Sequence, residues 1–196
     1  MAQNKSNIAV IVGSTRRDSI NRQLAKALAK LGQESSKGQL DFTFVEIGDL
    51  PLYNQDLEND LPPTVARMKA QLEAADGVLI VTPEHNRSIP AALKNAIDWG
   101  TRPWGKSSWP GKVAAVIGTS PGAIGTAVAQ SHLRNVLGSI LGLLVMGGEH
   151  YVTFKPELIA ADGSVVDSNT KKFLSDFIAQ FASLVGRHTV RQAAAA

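Results

Sequence analysis

Short apolar runs and helical stripes alternate along this chain. Residues 8–12 (Ile8-Ala9-Val10-Ile11-Val12) form a continuous apolar run ending at Gly13, the pattern of a strand buried on both faces. Ile20, Leu24, Ala27, Leu28 and Leu31 then recur at helical spacing, and Gly32 reads as the stop. Residues 42–47 predict a second strand. Pro62-Pro63 opens a helix on which Val65, Met68 and Leu72 share a face, because a proline in the first turn forfeits no hydrogen bond. Residues 78–81 predict strand three. Ser88 reads as the cap of the next helix, with Pro90 in its first turn and Leu93, Ala96 and Ile97 facing inward. Residues 113–117 predict strand four, a long helix starts at about Ile124, and residues 143–146 predict strand five. Phe173, Phe177, Phe181 and Leu184 mark a C-terminal helix, and the tail at 193–196 is expected to fray. The one long irregular stretch is 147–168, with a turn at Asp162-Gly163.

Five strands alternating with helices imply a parallel sheet covered on both faces. The expected fold is α/β, a flavodoxin-like doubly wound sheet of order 2-1-3-4-5. The 196 residues make one domain with an ordered core of about 6–188. That order brings strands one, three and four together at the centre, and ligands bind outside their carboxyl ends. The three most unusual stretches of the sequence follow those three strands.

Composition narrows the function. Hydrophobic residues make up 44% and charged residues 19%, ordinary for a globular chain. A net charge of +3, with no window joining Lys and Arg to interleaved aromatics, argues against nucleic acid. The absence of cysteine excludes disulfides, thiol chemistry and Cys-ligated zinc, and the four His show no ligand spacing, so no metal is expected. The polar start, Met1 to Asn7, is unlike a signal peptide, and the longest apolar stretch, 136–146, is too short and too interrupted to span a membrane. The expected location is cytoplasmic.

After strand one comes Gly13-Ser14-Thr15-Arg16-Arg17-Asp18-Ser19-Ile20-Asn21-Arg22. A tight turn, neutral donors, a bidentate Arg16 and a helix N-terminus together suit a phosphate. No Gly-x-Gly-x-x-Gly follows this strand, which disfavours a dinucleotide site. After strand three, Thr82-Pro83-Glu84-His85-Asn86-Arg87-Ser88-Ile89-Pro90 is a loop clamped by two prolines, and its polar groups suit a flat heterocycle. After strand four, Gly118-Thr119-Ser120-Pro121-Gly122-Ala123-Ile124-Gly125 has three glycines beside a helix start, which permit close approach of a bulky ligand.

Two motifs compete with this reading. Gly118 to Gly122 spells Gly-x-Ser-x-Gly between strand and helix, the nucleophile elbow of α/β hydrolases, with Ser120 as nucleophile and His150 or His188 downstream. Pro121 weakens it, because the residue after the nucleophile must donate its N–H to the oxyanion and proline has none. Gly100 to Ser107 matches Gly-x-x-x-x-Gly-Lys-Ser, but it follows a helix, contains Pro103, and does not open a helix. Trp99, Arg102, Trp104, Lys106 and Trp109 there make a basic, aromatic loop. It either overhangs the site, with Arg102 making the acceptor pocket cationic, or packs as a surface loop.

Together the three loops resemble the NADPH-dependent FMN reductase family, especially its bacterial quinone and chromate reductase branch. The matching residues are those of the first loop, then Thr82 to Asn86 with Pro90-Ala91-Ala92-Leu93-Lys94-Asn95-Ala96-Ile97-Asp98-Trp99, and Ser120 to Gly125. The resemblance implies non-covalent FMN, NADPH or NADH as co-substrate, and reduction of quinones, chromate, free flavins, azo or nitro compounds. Carried over by position, Ser14, Arg16, Ser19 and Asn21 hold the FMN phosphate. Pro83, Glu84, His85 and Asn86 line the isoalloxazine, and Ser120 and Gly122 flank its other edge. Most members of the family carry Tyr where this sequence has His85, so a role resting on a phenol does not carry over. The flavin would carry the chemistry, and no catalytic acid or base is required. A flavodoxin-type electron carrier is the alternative with the same cofactor, though such carriers are usually strongly acidic. The family analogy implies a homodimer or homotetramer. The apolar surplus of residues 124–139 and 147–168 suggests where copies meet.

Overall fold

The computed structural model describes residues 5–139 and 141–195, with side chains up to residue 190. The chain runs β1 (Ser6–Val12), α1 (Ile20–Ser35), β2 (Leu40–Val45), α2 (Pro63–Glu73), β3 (Gly77–Val81), α3 (Ala91–Gly100), β4 (Val113–Ser120), α4 (Ala127–Ser139), β5 (Leu144–Val145), β6 (Tyr151–Thr153) and α5 (Ser168–Ala195). The sheet is parallel, in the order β2-β1-β3-β4-β5. This is the flavodoxin-like arrangement expected from the pattern.

Alternation along β1 divides the core. Ile8, Val10 and Val12 face α1 and α5, while Ala9 and Ile11 face α2, α3 and α4. Each large side chain buried in these layers, such as Phe177 and Phe181 of α5, contributes about 1.5–3 kcal/mol. The buried stripe of α5 is Leu174, Phe177, Ile178, Phe181 and Val185, so Phe173 lies on its exposed edge and Leu184 is only partly buried.

Several boundaries differ from the sequence reading for identifiable reasons. Gly32 does not stop α1, which continues to Ser35. A Cβ there would lie 2.5 Å from Cζ of Phe42, so glycine serves to seat the helix on β2. Ser88 does not cap α3, whose cap residue is Pro90 with no side-chain bond. Helix α4 starts at Ala127, and Ile124 sits exposed in the preceding turn. Strand five is two residues long. After Gly147 and Gly148, the latter at φ +90°, the chain resumes as β6, pairing with Gly118, Thr119 and Ser120 of β4. The stretch at 147–168 therefore supplies a sixth strand. Of the tail expected to fray, residues 193–195 belong to α5 and residue 196 lies outside the described residues, as do residues 1–4 of the polar start. Among the described residues, no helix is long and apolar enough to cross a membrane.

Candidate active site

β1, β3 and β4 end side by side, with Val12 opposite Val81 and Val81 opposite Ile117. Two further bonds extend the ladder: Gly13 N–H to Val81 O (2.9 Å) and Thr82 N–H to Ile117 O (3.0 Å). Beyond them the three loops part and enclose a cleft of about 620 Å³, lined among others by Ser14, Arg16, Asn21, Pro83, His85 and Ser120. Its floor is closely packed. A Cβ on Gly13 would lie 2.9 Å from Thr82 Oγ1, and one on Gly118 would overlap Thr82 O and Thr126 Oγ1. Of the three glycines after strand four, Gly118 therefore serves packing and Gly125 a turn at φ +62°. Gly122 alone has open space around it beyond the Ser120 hydroxyl.

In the first loop Ser19 caps α1, its Oγ accepting from Arg22 N–H at 3.2 Å, and Ser14 Oγ accepts from Arg16 N–H at 3.4 Å. Arg17 pairs with Asp18 and Arg22 with Glu46. The Arg16 guanidinium has no partner among the described residues. Asn21 departs from the expectation. It is buried, its Oδ1 accepts from Thr119 N–H at 3.0 Å, and its Nδ2 donates to Thr119 O at 2.9 Å. Oδ1 and one Nδ2 hydrogen join α1 to β4, a structural role that the expectation did not include, while the residue also lines the cleft.

The second loop departs likewise. Pro83, Glu84 and His85 line the cleft. The Glu84 side chain is only 10% exposed; its Oε2 accepts from Val128 N–H (3.0 Å) and Ala129 N–H (3.1 Å), and its Oε1 lies 3.2 Å from Arg87 Nη1. The carboxylate is thus bound to α4 rather than presented to a ring. His85 and Ser88 exchange two backbone hydrogen bonds of 3.0 and 2.9 Å across a tight turn, and Asn86, exposed at its tip, is not among the lining residues. Ser88 Oγ and His132 Nδ1 lie 3.1 Å apart, which is the use the structure makes of that serine.

Ser120 Oγ donates to Gly125 O at 2.8 Å and accepts from Gly122 N–H at 3.2 Å, so it is held within its own loop. Among the described residues its hydroxyl is bonded to backbone groups of its own loop and not to a histidine. His188 bonds Gly111 O, and His150 packs against Phe173 and Phe177, where burial foremost, then Arg134, lowers its pKa. A nucleophile elbow needs a serine bonded to a base, and this arrangement lacks one.

Arg102 lies apart from the cleft. The first residues of α3, Ala91 and Ala92, line the cleft, and the helix then carries the chain about 15 Å away toward the start of β4. There Arg102 lies 3.7 Å from Glu58 Oε1 and stacks on Tyr53 and Trp104. Trp99 and Trp109 are fully buried, and the buried Lys69 donates to Lys106 O at 2.8 Å. This loop packs on its own side of the fold and does not overhang the site; the expectation that Arg102 lines the acceptor pocket is corrected accordingly.

Thr15, read from the sequence as a neutral donor of the phosphate pocket, lines the cleft; the sequence reading did not single out Ile20 and Thr119, which also line it, or Ala91 and Ala92, which entered only with the family pattern. Small residues directly after the Pro90 clamp were the available signal. Among the described residues, no group of three or more His, Asp or Glu is placed to hold a metal.

The profile of a family described as NADPH-dependent FMN reductase matches residues 6–157. A 2-hydroxy-1,4-benzoquinone reductase of Burkholderia sp is 51% identical over 178 residues, covering 91% of this chain and 95% of that protein. A quinone reductase of Pseudomonas putida is 44% identical over 180 residues, covering 91% and 94%. The solved structure of FerB, a flavoenzyme NAD(P)H:(acceptor) oxidoreductase from Paracoccus denitrificans, superposes with a TM-score of 0.88 at 50% identity, covering 93% of this chain and 98% of that one. With its cleft at the central strand ends and these relatives spanning nearly its whole length, the chain belongs to the NADPH-dependent FMN reductase family.

Proposed function

We propose that this chain is an FMN-dependent NAD(P)H oxidoreductase whose principal acceptor is a quinone. The observation that carries the reading is the cleft of about 620 Å³, within the range of cofactor sites, lined by the unpaired Arg16 of the loop before α1 and by the proline-stiffened Pro83–His85 wall. A doubly charged phosphate fits the first feature and a flat ring system the second.

FMN, when bound, would supply the two-electron hydride chemistry that links NADH or NADPH to the acceptor. The residues bind and orient. Ser14, Arg16 and the free N–H groups at the start of α1 hold the phosphate, with Ser19 supporting them as the helix cap. Pro83 and His85, which line the cleft, would present backbone and ring surface to the heterocycle, and Ser120, with Gly122 beside it, would meet another edge. Pro90, Ala91 and Ala92 leave room for a second planar molecule and keep that wall apolar. No side chain need act as acid or base.

We also infer a homodimer or homotetramer, supported by the exposed apolar side chains of Ile124, Tyr151, Val166 and Phe173. A cytoplasmic location follows from the donor, since reduced nicotinamides are an intracellular pool. The test is an absorbance spectrum of the purified protein, then NAD(P)H oxidation with and without a quinone. Flavin absorbance and quinone-dependent oxidation are expected. Flavin without turnover indicates an electron carrier, and a colourless protein that fails to take up FMN refutes the reading. Arg16→Ala should weaken FMN tenfold or more, on the scale of a charged hydrogen bond of about 1.5–3 kcal/mol, and leave riboflavin nearly unchanged.

A further inference from the structure

We propose that Glu84 is a positioning residue: its carboxylate clamps the cleft wall from Pro83 to Ser88 onto the N-terminus of α4, and so sets where that wall meets the flavin ring. The positioning role rests on the flavin reading above, whereas the clamp stands on the protein alone.

Helix α4 lacks an acidic residue in its own first turn, where unpaired N–H groups and the positive end of the helix dipole call for one. Glu84, 44 residues earlier, supplies it: one oxygen takes both Val128 N–H and Ala129 N–H. The other oxygen holds Arg87 at 3.2 Å. Arg87 has φ +63° and Asn86 φ +49°, a left-handed pair that disfavours a residue as large as arginine at the second position. The ion pair closes the turn and offsets part of that strain. One helical turn beyond Val128, Ser88 Oγ meets His132 Nδ1. Val128 and His132 are four residues apart and share a face, so the wall lies along α4 on two anchors.

Glu84 lines the cleft, but its side chain is only 10% exposed and both carboxylate oxygens are engaged by the scaffold. Its negative charge is matched locally by Arg87 and the helix end. A carboxylate is needed because one group must accept from two backbone donors and pair with a cation at once. Glutamine keeps the shape and one acceptor oxygen, and alanine keeps neither.

The experiment compares wild type, Glu84→Gln and Glu84→Ala. Amide hydrogen exchange at Val128 and Ala129 is read on the flavin-free protein. Affinities for FMN and for riboflavin, and the visible circular dichroism of bound flavin, are read separately. In Glu84→Ala, exchange at both amides should quicken about tenfold or more, FMN and riboflavin should weaken by the same factor, and the dichroism should change. Glu84→Gln should recover part of each. Unchanged exchange overturns the clamp. Faster exchange with unchanged flavin affinity and dichroism overturns the positioning role. A wild type that binds no flavin overturns the flavin reading and the positioning role together, and the exchange arm still reports on the clamp. Where Glu84→Ala does not fold, the Glu84→Gln arm decides, and a glutamine variant matching wild type in every measurement overturns the need for a carboxylate.

Discussion

Replacing Asn21 decides between two roles for a residue that sits where a phosphate ligand is expected. Asn21→Ala removes the partners of both Thr119 N–H and Thr119 O, in a residue that is 1% exposed. A buried polar group left without its partner costs about 1–3 kcal/mol. With some water admitted at the α1–β4 seam, the two groups together predict a loss of roughly 2–4 kcal/mol. For a chain of this size that lowers the melting temperature by about 5–15 °C. Asn21→Asp should be no milder, because it sets a carboxylate oxygen against Thr119 O where Nδ2 now donates. The assay is thermal unfolding of the flavin-free protein, alongside FMN and riboflavin affinities from fluorescence quenching. Stability should fall, and both flavins should weaken by a common factor, since the Asn21–Thr119 link acts on the shape of the cleft and not on the phosphate. An unchanged melting temperature with a loss confined to FMN would refute this and return Asn21 to the phosphate.

Three further outcomes are expected. Gly118→Ala drives a Cβ into Thr82 O and Thr126 Oγ1, so it should cost about 3 kcal/mol or more, the upper end of overpacking, and strip the protein of flavin; a variant that melts normally contradicts the packing of the cleft floor. Asp162 is held well below the usual carboxylate range, first by the Ser164 hydroxyl, then by Ser164 N–H and Lys30. Its folded pKa is depressed, so its contribution is present above the unfolded carboxylate value and fades as pH falls below it; Asp162→Asn should flatten the acid limb of melting temperature against pH. Light scattering at micromolar concentration should give a mass that is a multiple of the 20.8 kDa chain, and a monomeric mass counts against the inferred assembly.

The sheet order was legible because β1 and β3 are uninterrupted apolar runs and the helices between strands carry clear stripes. Strand β6 was not, since Tyr151–Thr153 is three residues with only Val152 buried, too short for alternation to register. Gly32 was misread as a helix stop and Gly118 as room for a ligand for a related reason: a glycine demanded by a neighbour's bulk looks, in one dimension, like one demanded by a turn or a ligand. Arg102 was drawn toward the site by chemistry that suited it, although the length of α3 carries it away.

The loops show why residue type located the cleft but not the role of each side chain. Where three strands end together, their last N–H and C=O groups, and those opening the next helices, lose their ladder partners and must be satisfied. The polar side chains within reach are those of the loops themselves. Asn21 serves Thr119, 98 residues away, Glu84 serves α4, 44 residues away, and Ser120 serves Gly125 in its own loop. Local spacing carries no record of a partner 98 residues distant, so scaffold residues and ligand residues look alike in sequence. Structure separates them by what remains unpaired. In the first loop Ser19 caps a helix, Arg17 and Arg22 have carboxylates, and Asn21 has a strand. Arg16 has none of these, although the same loop brings it to the cleft. An arginine in the loop before a helix, without an acidic partner, leaves its charge to an anion from solution, and on that ground we propose Arg16 as the side chain that meets the phosphate.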